Sequence, residues 1–285
     1  MVAVWGTIDL CMPIELLQSL PMLNIRDADG NIRTDFEKAF RDGYQFQYNL
    51  PYDGPQTVEF TTHSIGELVL PSGQLIACDP LLPPDLRYCF TQTVEPGRYP
   101  VVLSLAGFKP RQDRRIACAM LQVSQQMPVR WELAILNSDR PANYQNYGVD
   151  SGTGSFMDAE VAQILKQMDE PDPDEYAAAW QESGEAAWAL QKAASDRFEN
   201  EYCQPVVDEM ESNGEAAVSA EYPYDRKGDW ANFCINESTG ANVMAFGSGW
   251  GDGGYASYWG YDDNGQIVCI VTDFRLFGFG KNEDD

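Results

Sequence analysis

The chain has 285 residues, 44% apolar and 12% aromatic, which is enough for one large core or two small ones and excludes a disordered polypeptide. Lys+Arg number 19 against 44 Asp+Glu, a formal charge of −25. Nucleic acid and anionic membrane surfaces need cations to neutralise their phosphates, so neither is an expected partner. A basic protein would be steered in, and backbone amides could still cradle a small ligand.

Residues 1–55 read as mixed. The start, "MVAVWGTIDLCMPIELL", has no basic segment before its apolar stretch and meets acids and Pro13 early, so it does not read as a signal peptide. No run approaches the roughly 18 apolar residues of a spanning helix. Seven scattered cysteines without a CxxC pair provide no zinc motif, and their odd number argues against a secreted disulfide framework. The expectation is a soluble cytoplasmic protein whose cysteines are small core residues. "PIELLQSL" and "TDFEKAFRDGY" are predicted short helices around the turn "RDADGNIR".

From 56 the period becomes two. "QTVEFTTH", "GELVLPSGQLIACDPL", "GRYPVVLSLAGF", "RRIACAMLQVS" and "VRWELAIL" are predicted strands, and spacings too short for intervening helices favour antiparallel pairing. After Asp158 the helix formers Ala, Glu, Gln, Leu and Lys dominate. Residues 157–227 hold 18 acids and 5 bases, a net −13, which reads either as a solvated helical face or as a docking surface. Ala178, Trp180, Ala187, Trp188 and Ala189 are expected to face the sheet. Alternation returns after 228 in "ANVMAFGSG" and "GYASYWGYDDNGQIVCIVTDF", where "DNG" predicts a hairpin. The tail "GKNEDD" reads as frayed. The predicted class is α+β: a mostly antiparallel sheet core with an acidic helical excursion packed on it. One domain is expected over 1–285, β-rich in 56–150 and 228–278 and helical in 158–227.

The segments "GELVLPSGQLIACDPL", "GRYPVVLSLAGF", "PVRWELAIL", "YGVDSGTGSFMD" and "FGSGWGDGGYASYWGYDDNGQIVCIVTDF" occur in an order and spacing that resembles the family called domain of unknown function 4241, from about residue 60 to 276. The resemblance implies a bacterial cytosolic-type fold and carries no activity with it. Ser151 stands where the family pattern has a small residue, often Ala, and "YASYW" replaces a proline-containing version. Neither departure moves an acid.

"VDSGTGSFMD" invites three chemistries. An aspartic-protease loop needs two carboxylates sharing a proton, and no second D[ST]G[TS] exists in the chain. A sugar-kinase or actin-type phosphate loop would open its domain rather than appear at residue 150. A hard-metal site is the third: Asp150 and Asp158, with Asp252 from "GWGDGGY", could offer oxygens to Mg²⁺ or Ca²⁺. The EF-hand-like "YDDNGQIVCIV" and "IRDADGNIRTDF" lack the glutamate at position twelve. His63 is the one histidine and has no neighbouring nucleophile signature, so it reads as a strand-edge polar residue.

"GSGWGDGGYASYWG" lacks GK[ST] and GxGxxG, so its glycines suit turns better than phosphates. Gly251 and Gly253 are candidate ligand-binding positions, with Trp250, Tyr255, Tyr258 and Trp259 either an aromatic wall over a small ligand or sheet packing. The cluster "KPRQDRR" is expected to serve internal or surface electrostatics. Asp79, in "CDP", reads as a turn former, with a further site acid as the alternative.

Two functions follow. The first, which the density of polar and glycine-rich motifs favours, is a small-ligand enzyme, a metal-assisted hydrolase being its sharpest form, with Asp150, Thr153, Asp158 and Asp252 converging near Tyr255 and Trp259 on Mg²⁺ or Ca²⁺. The second is an acidic binding protein of immunity or antitoxin type, whose helical face neutralises a basic partner through residues 158–227.

Overall fold

The computed structural model describes residues 25–26, 32–139, 141, 144–220, 222–225 and 229–277. In chain order the strands before the helices are β1 (Ile25–Arg26), β2 (Ile32–Arg33), β3 (Gln45–Leu50), β4 (Gly54–Leu70), β5 (Leu75–Cys78), β6 (Gly97–Lys109), β7 (Asp113–Gln122), β8 (Arg130–Leu133), β9 (Asn146–Val149) and β10 (Thr153–Asp158). A single turn of helix, α1 (Phe36–Ala39), precedes β3. Helices α2 (Ala159–Asp169), α3 (Pro173–Glu182), α4 (Gly184–Phe198) and α5 (Gln204–Ala217) follow, with a π-helical turn at Glu199–Cys203. The chain then returns through β11 (Tyr224–Asp225), β12 (Trp230–Asn236), β13 (Ala241–Gly247), β14 (Gly253–Tyr261) and β15 (Ile267–Asp273). The predicted helix "PIELLQSL", Cys11 and the tail lie outside the described residues.

The α+β class holds, and the pairing is antiparallel except where the short β11 runs parallel to β7. A large sheet of nine strands has the order β3-β4-β6-β7-β15-β14-β8, with β9 also pairing β14. A second sheet has the order β12-β13-β10-β5. The helices enter between β10 and β12, two strands of this one sheet, and on its return the chain adds the short β11 to the large sheet beside β7.

Period-two alternation explains the layering, because successive side chains of a strand point to opposite faces. In the smaller sheet Leu75, Ala77, Phe156, Met244 and Phe246 face the large sheet, while Ile76, Cys78, Met157, Val243 and Ala245 face the helices. Both faces are buried, and each fully buried large apolar side chain contributes about 1.5–3 kcal/mol. Buried Asn242 joins the sheets: its Oδ1 accepts from the Val69 N–H (2.9 Å) and its Nδ2 donates to the Glu67 carbonyl (2.9 Å).

The far face of the large sheet is covered by α1 and by Leu276 and Phe277. There Asp273 is buried, its carboxylate accepting from Thr34 N (2.8 Å), Thr34 Oγ1 (2.7 Å) and Arg275 N (2.8 Å). Burial raises the Asp273 pKa, against the lowering effect of those bonds and of nearby Arg33. Arg33 lies over the Phe36 ring at 4.5 Å.

Three helices start where the sequence provides caps: Asp158 accepts from Glu160 N, Asp172 from Asp174 N and Glu175 N with Pro173 following, and Ser183 from Ala186 N. Val161, Ala162 and Leu165 of α2, Ala187, Ala194 and Phe198 of α4, and Val206 of α5 face the sheet. Helix α3 buries none of its ten residues.

Candidate functional site

The two glycine-rich loops meet. Strand β14 pairs β9 with Gly253 opposite Val149 and Gly254 opposite Gly148, and the Ser248 N–H donates to the Gly152 carbonyl at 3.0 Å. Gly249, at φ +62°, lets the loop pass so close to the C-terminal segment that a Cβ would lie 2.9 Å from that of Phe274. Asp150 and Asp252 are both exposed on these adjoining loops.

The polar groups beneath them are already engaged. Asp79, 4% exposed, is their hub: its Oδ2 accepts from Asp150 N (2.9 Å) and Ser151 N (2.8 Å), its Oδ1 from Ser151 Oγ (2.7 Å) and Leu81 N (3.0 Å). The amides of Asp150 and Ser151, which a phosphate or oxyanion would need, thus point inward onto a carboxylate. Asp79 is the turn former that its "CDP" context suggests, and it organises the loop seventy residues later rather than its own turn alone. The Tyr255 hydroxyl is shared between the Gly251 carbonyl (2.6 Å) and the Ser248 carbonyl (3.1 Å), and burial raises its pKa. Thr153 is buried at the start of β10, its N–H 3.3 Å from Ser151 Oγ.

Asp158 does not join Asp150 and Asp252. It lies at the opposite end of β10, roughly 17 Å along the strand from Thr153 at the usual rise. It is fully buried, caps α2, and accepts from Ser72 N (3.0 Å) and Ser72 Oγ (2.8 Å). The expected three-acid metal site at Asp150, Asp158 and Asp252 is therefore not assembled, because a strand separates its members. Among the described residues no group of three or more His, Cys, Asp or Glu is placed to hold a metal ion. Trp259 is buried in the inter-sheet core, edge-on to Phe90 at 5.9 Å, so with Tyr255 it packs the core instead of walling an open cleft.

The basic segment 109–115 is also used internally. Buried Asp113 accepts from Arg115 Nε (2.8 Å) and Arg111 Nε (3.1 Å), and Arg111 also pairs with Asp53. Arg115 Nη1 donates to the Gly249 carbonyl (3.2 Å) and its guanidinium lies 4.7 Å from the Trp250 ring centre, fastening the second glycine-rich loop to β7. Cys78, Cys89, Cys118, Cys203 and Cys269 are free and buried, with Cys234 exposed. Burial pushes the Cys78 and Cys203 thiols up to about 12, which keeps them protonated. His63 packs edge-on to Trp230 at 5.9 Å.

The unengaged groups lie on the helices. Of the residues expected to face the sheet, only Ala187 is buried; Ala178 and Ala189 are exposed, Trp180 is 58% exposed and Trp188 66%. The run Tyr176–Trp180 is continuously apolar, so it winds around α3 instead of forming one stripe, and no single face can bury it. Trp180 rests beside Gly184 and edge-on to Tyr176 at 6.3 Å. Residues 169–191 contain seven acids and no Lys or Arg. The bases that flank this stretch are occupied: Lys166 with Glu170 (3.8 Å), Lys192 with Asp196, and Arg197 with the Met168 carbonyl (2.7 Å). Asp174, Glu175, Glu182 and Glu185 have no ion pair among the described residues. Continuity of the apolar run and the absence of bases were both visible in the sequence, and they are the signal for this surface.

The molecule is thus an α+β protein of two stacked antiparallel sheets, with an acidic helical layer that leaves two indoles open to solvent. The family described as protein of unknown function (DUF4241) matches residues 68–272. The chain belongs to that family. No curated protein and no solved structure matches it. Among the described residues no helix is long and apolar enough to cross a membrane.

Proposed function

We propose that the protein is an acidic binding protein whose α3–α4 surface docks a basic protein partner. The observation that carries this reading is the exposure of Trp180 and Trp188 on a helical pair where α3 buries no residue. Exposed tryptophans on a surface of one charge sign are suited to binding: the rings supply the apolar anchor and the acids steer a cationic partner and fix its orientation. A ten-residue helix is marginal in water without tertiary packing, so a partner that covered α3 would also stabilise it.

The alternative, a small-ligand enzyme at the glycine-rich loops, has one favourable feature, the adjacency of Asp150 and Asp252. It has less support, because the loop amides, Tyr255 and Asp158 already have internal partners.

The test compares capture of basic proteins by the immobilised full chain with capture by a Trp180→Ala/Trp188→Ala/Glu182→Lys/Glu185→Lys variant, at low and high salt. A basic protein held by the first chain alone, and released by salt, is expected. Equal retention by both chains would place binding elsewhere.

A further inference from the structure

Arginine makes the closest cation contacts to the protein's own rings. Guanidinium carbons make the four shortest cation–ring contacts, 4.0 Å from the Tyr222 ring centre, 4.2 Å from Tyr261, 4.5 Å from Phe36 and 4.7 Å from Trp250, while the contacts at 5.5–5.7 Å are shared between lysine (Tyr222, Tyr44) and arginine (Trp250, Trp131, Tyr258). The physical reason is general: a guanidinium is planar and weakly hydrated, so it stacks flat on a ring, while an ammonium is a compact, strongly hydrated point charge. Among the described residues no cation lies over Trp180 or Trp188.

Acids stand close to both indoles along the chain. Glu185 follows Gly184, beside which Trp180 rests, and stands one turn before Trp188 on the same helix. It therefore lies between the two indoles along the chain, and neither it nor Glu182 has an ion pair among the described residues. A guanidinium laid on either indole could also donate two parallel hydrogen bonds to a carboxylate, a fork that an ammonium cannot reproduce.

Resting on the docking role proposed above, we infer that this face selects arginine: its occupant is an arginine-rich segment of a basic protein, with guanidiniums stacked on Trp180 and Trp188 and paired with Glu185 and Glu182. A lysine-rich segment of equal charge would be steered to the same face and held less tightly.

The experiment titrates the ¹⁵N-labelled full chain with nona-arginine and, separately, with nona-lysine at matched ionic strength, following the indole N–H resonances of the tryptophans. Expected are shifts at Trp180 and Trp188 with both peptides and a Kd about fivefold lower for nona-arginine, the scale of one or two exposed ring–cation contacts. In Trp180→Leu/Trp188→Leu, which removes two exposed rings and leaves the acids, the preference for nona-arginine should shrink to the part that the carboxylate fork supplies, below about twofold. Equal affinities in the wild type, with Trp180 and Trp188 shifting, would overturn the arginine selection and leave the docking face standing. If neither peptide moves those two resonances, the docking face fails as well. An arginine preference that survives undiminished in the double variant would overturn the assignment to these indoles.

Discussion

The loops at 148–153 and 247–253 and the helices at 173–198 are both rich in polar and aromatic residues, yet their groups have opposite fates. In the loops, Asp79 absorbs four donors, Tyr255 is bonded to loop carbonyls, and Trp250 is covered by Arg115. In the helices, four carboxylates lack a cation among the described residues and two indoles face solvent. The difference teaches that density of polar motifs does not measure availability. A buried polar group must find a partner inside the fold, so a motif that lies against the core tends to be consumed by it. A group on a helix that touches no core keeps its full bonding capacity for something else.

The most severe test of this contrast is Asp79→Ala. It would leave three N–H groups and one hydroxyl without their acceptor, and a loss of about 3–4 kcal/mol is expected in urea unfolding. A loss below about 1 kcal/mol would mean that solvent replaces Asp79 and that the loop is open after all. Asp158→Ala should cost somewhat less, about 2–3 kcal/mol, since it removes a helix cap and two bonds from Ser72. If that variant instead kept its stability and lost metal-dependent stabilisation, Asp158 would be a ligand rather than a cap.

Asp273 sharpens the contrast through pH. Its folded pKa is raised by burial, so its contribution to stability is complete below the unfolded value of about 4 and is lost as pH rises through the folded value. The stability of the wild type relative to Asp273→Asn should therefore fall as the pH rises above about 4, as read from urea midpoints. A rise instead would show that the bonds from Thr34 and Arg275 outweigh burial.

The smallest stability effects are expected at the exposed positions. Asp150→Asn, Asp252→Asn and Trp180→Ala/Trp188→Ala should each leave unfolding free energy within about 0.5 kcal/mol of the wild type. The tryptophan pair should nevertheless weaken binding of the proposed basic partner about fivefold. A saturating metal or nucleotide, at 100 times its Kd, would add about 2.7 kcal/mol. A thermal shift of that kind with Mg²⁺ or Ca²⁺, absent in Asp150→Asn, would reverse the ranking of the two regions.

Much of the fold was legible because its signals are local. Short, near-continuous apolar runs such as "GRYPVVLSLAGF" and "QIVCIVTDF" suit strands with two buried faces, "DNG" sets the β14–β15 hairpin, and Asp172 with Pro173 starts α3. The charge imbalance, the helical excursion and the family were likewise contained in composition and order. What the tertiary structure alone decided is which groups remain free. Asp79 and Ser151 are distant in sequence and adjacent in space, as are Arg115 and Gly249, and the pairing of β10 with β5 and β13 sends Asp150 and Asp158 to opposite ends of one strand. Burial and hydrogen-bond satisfaction depend on these long-range approaches. For that reason composition could name the acids and aromatics, and only the packed chain could show that Trp180 and Trp188 face outward.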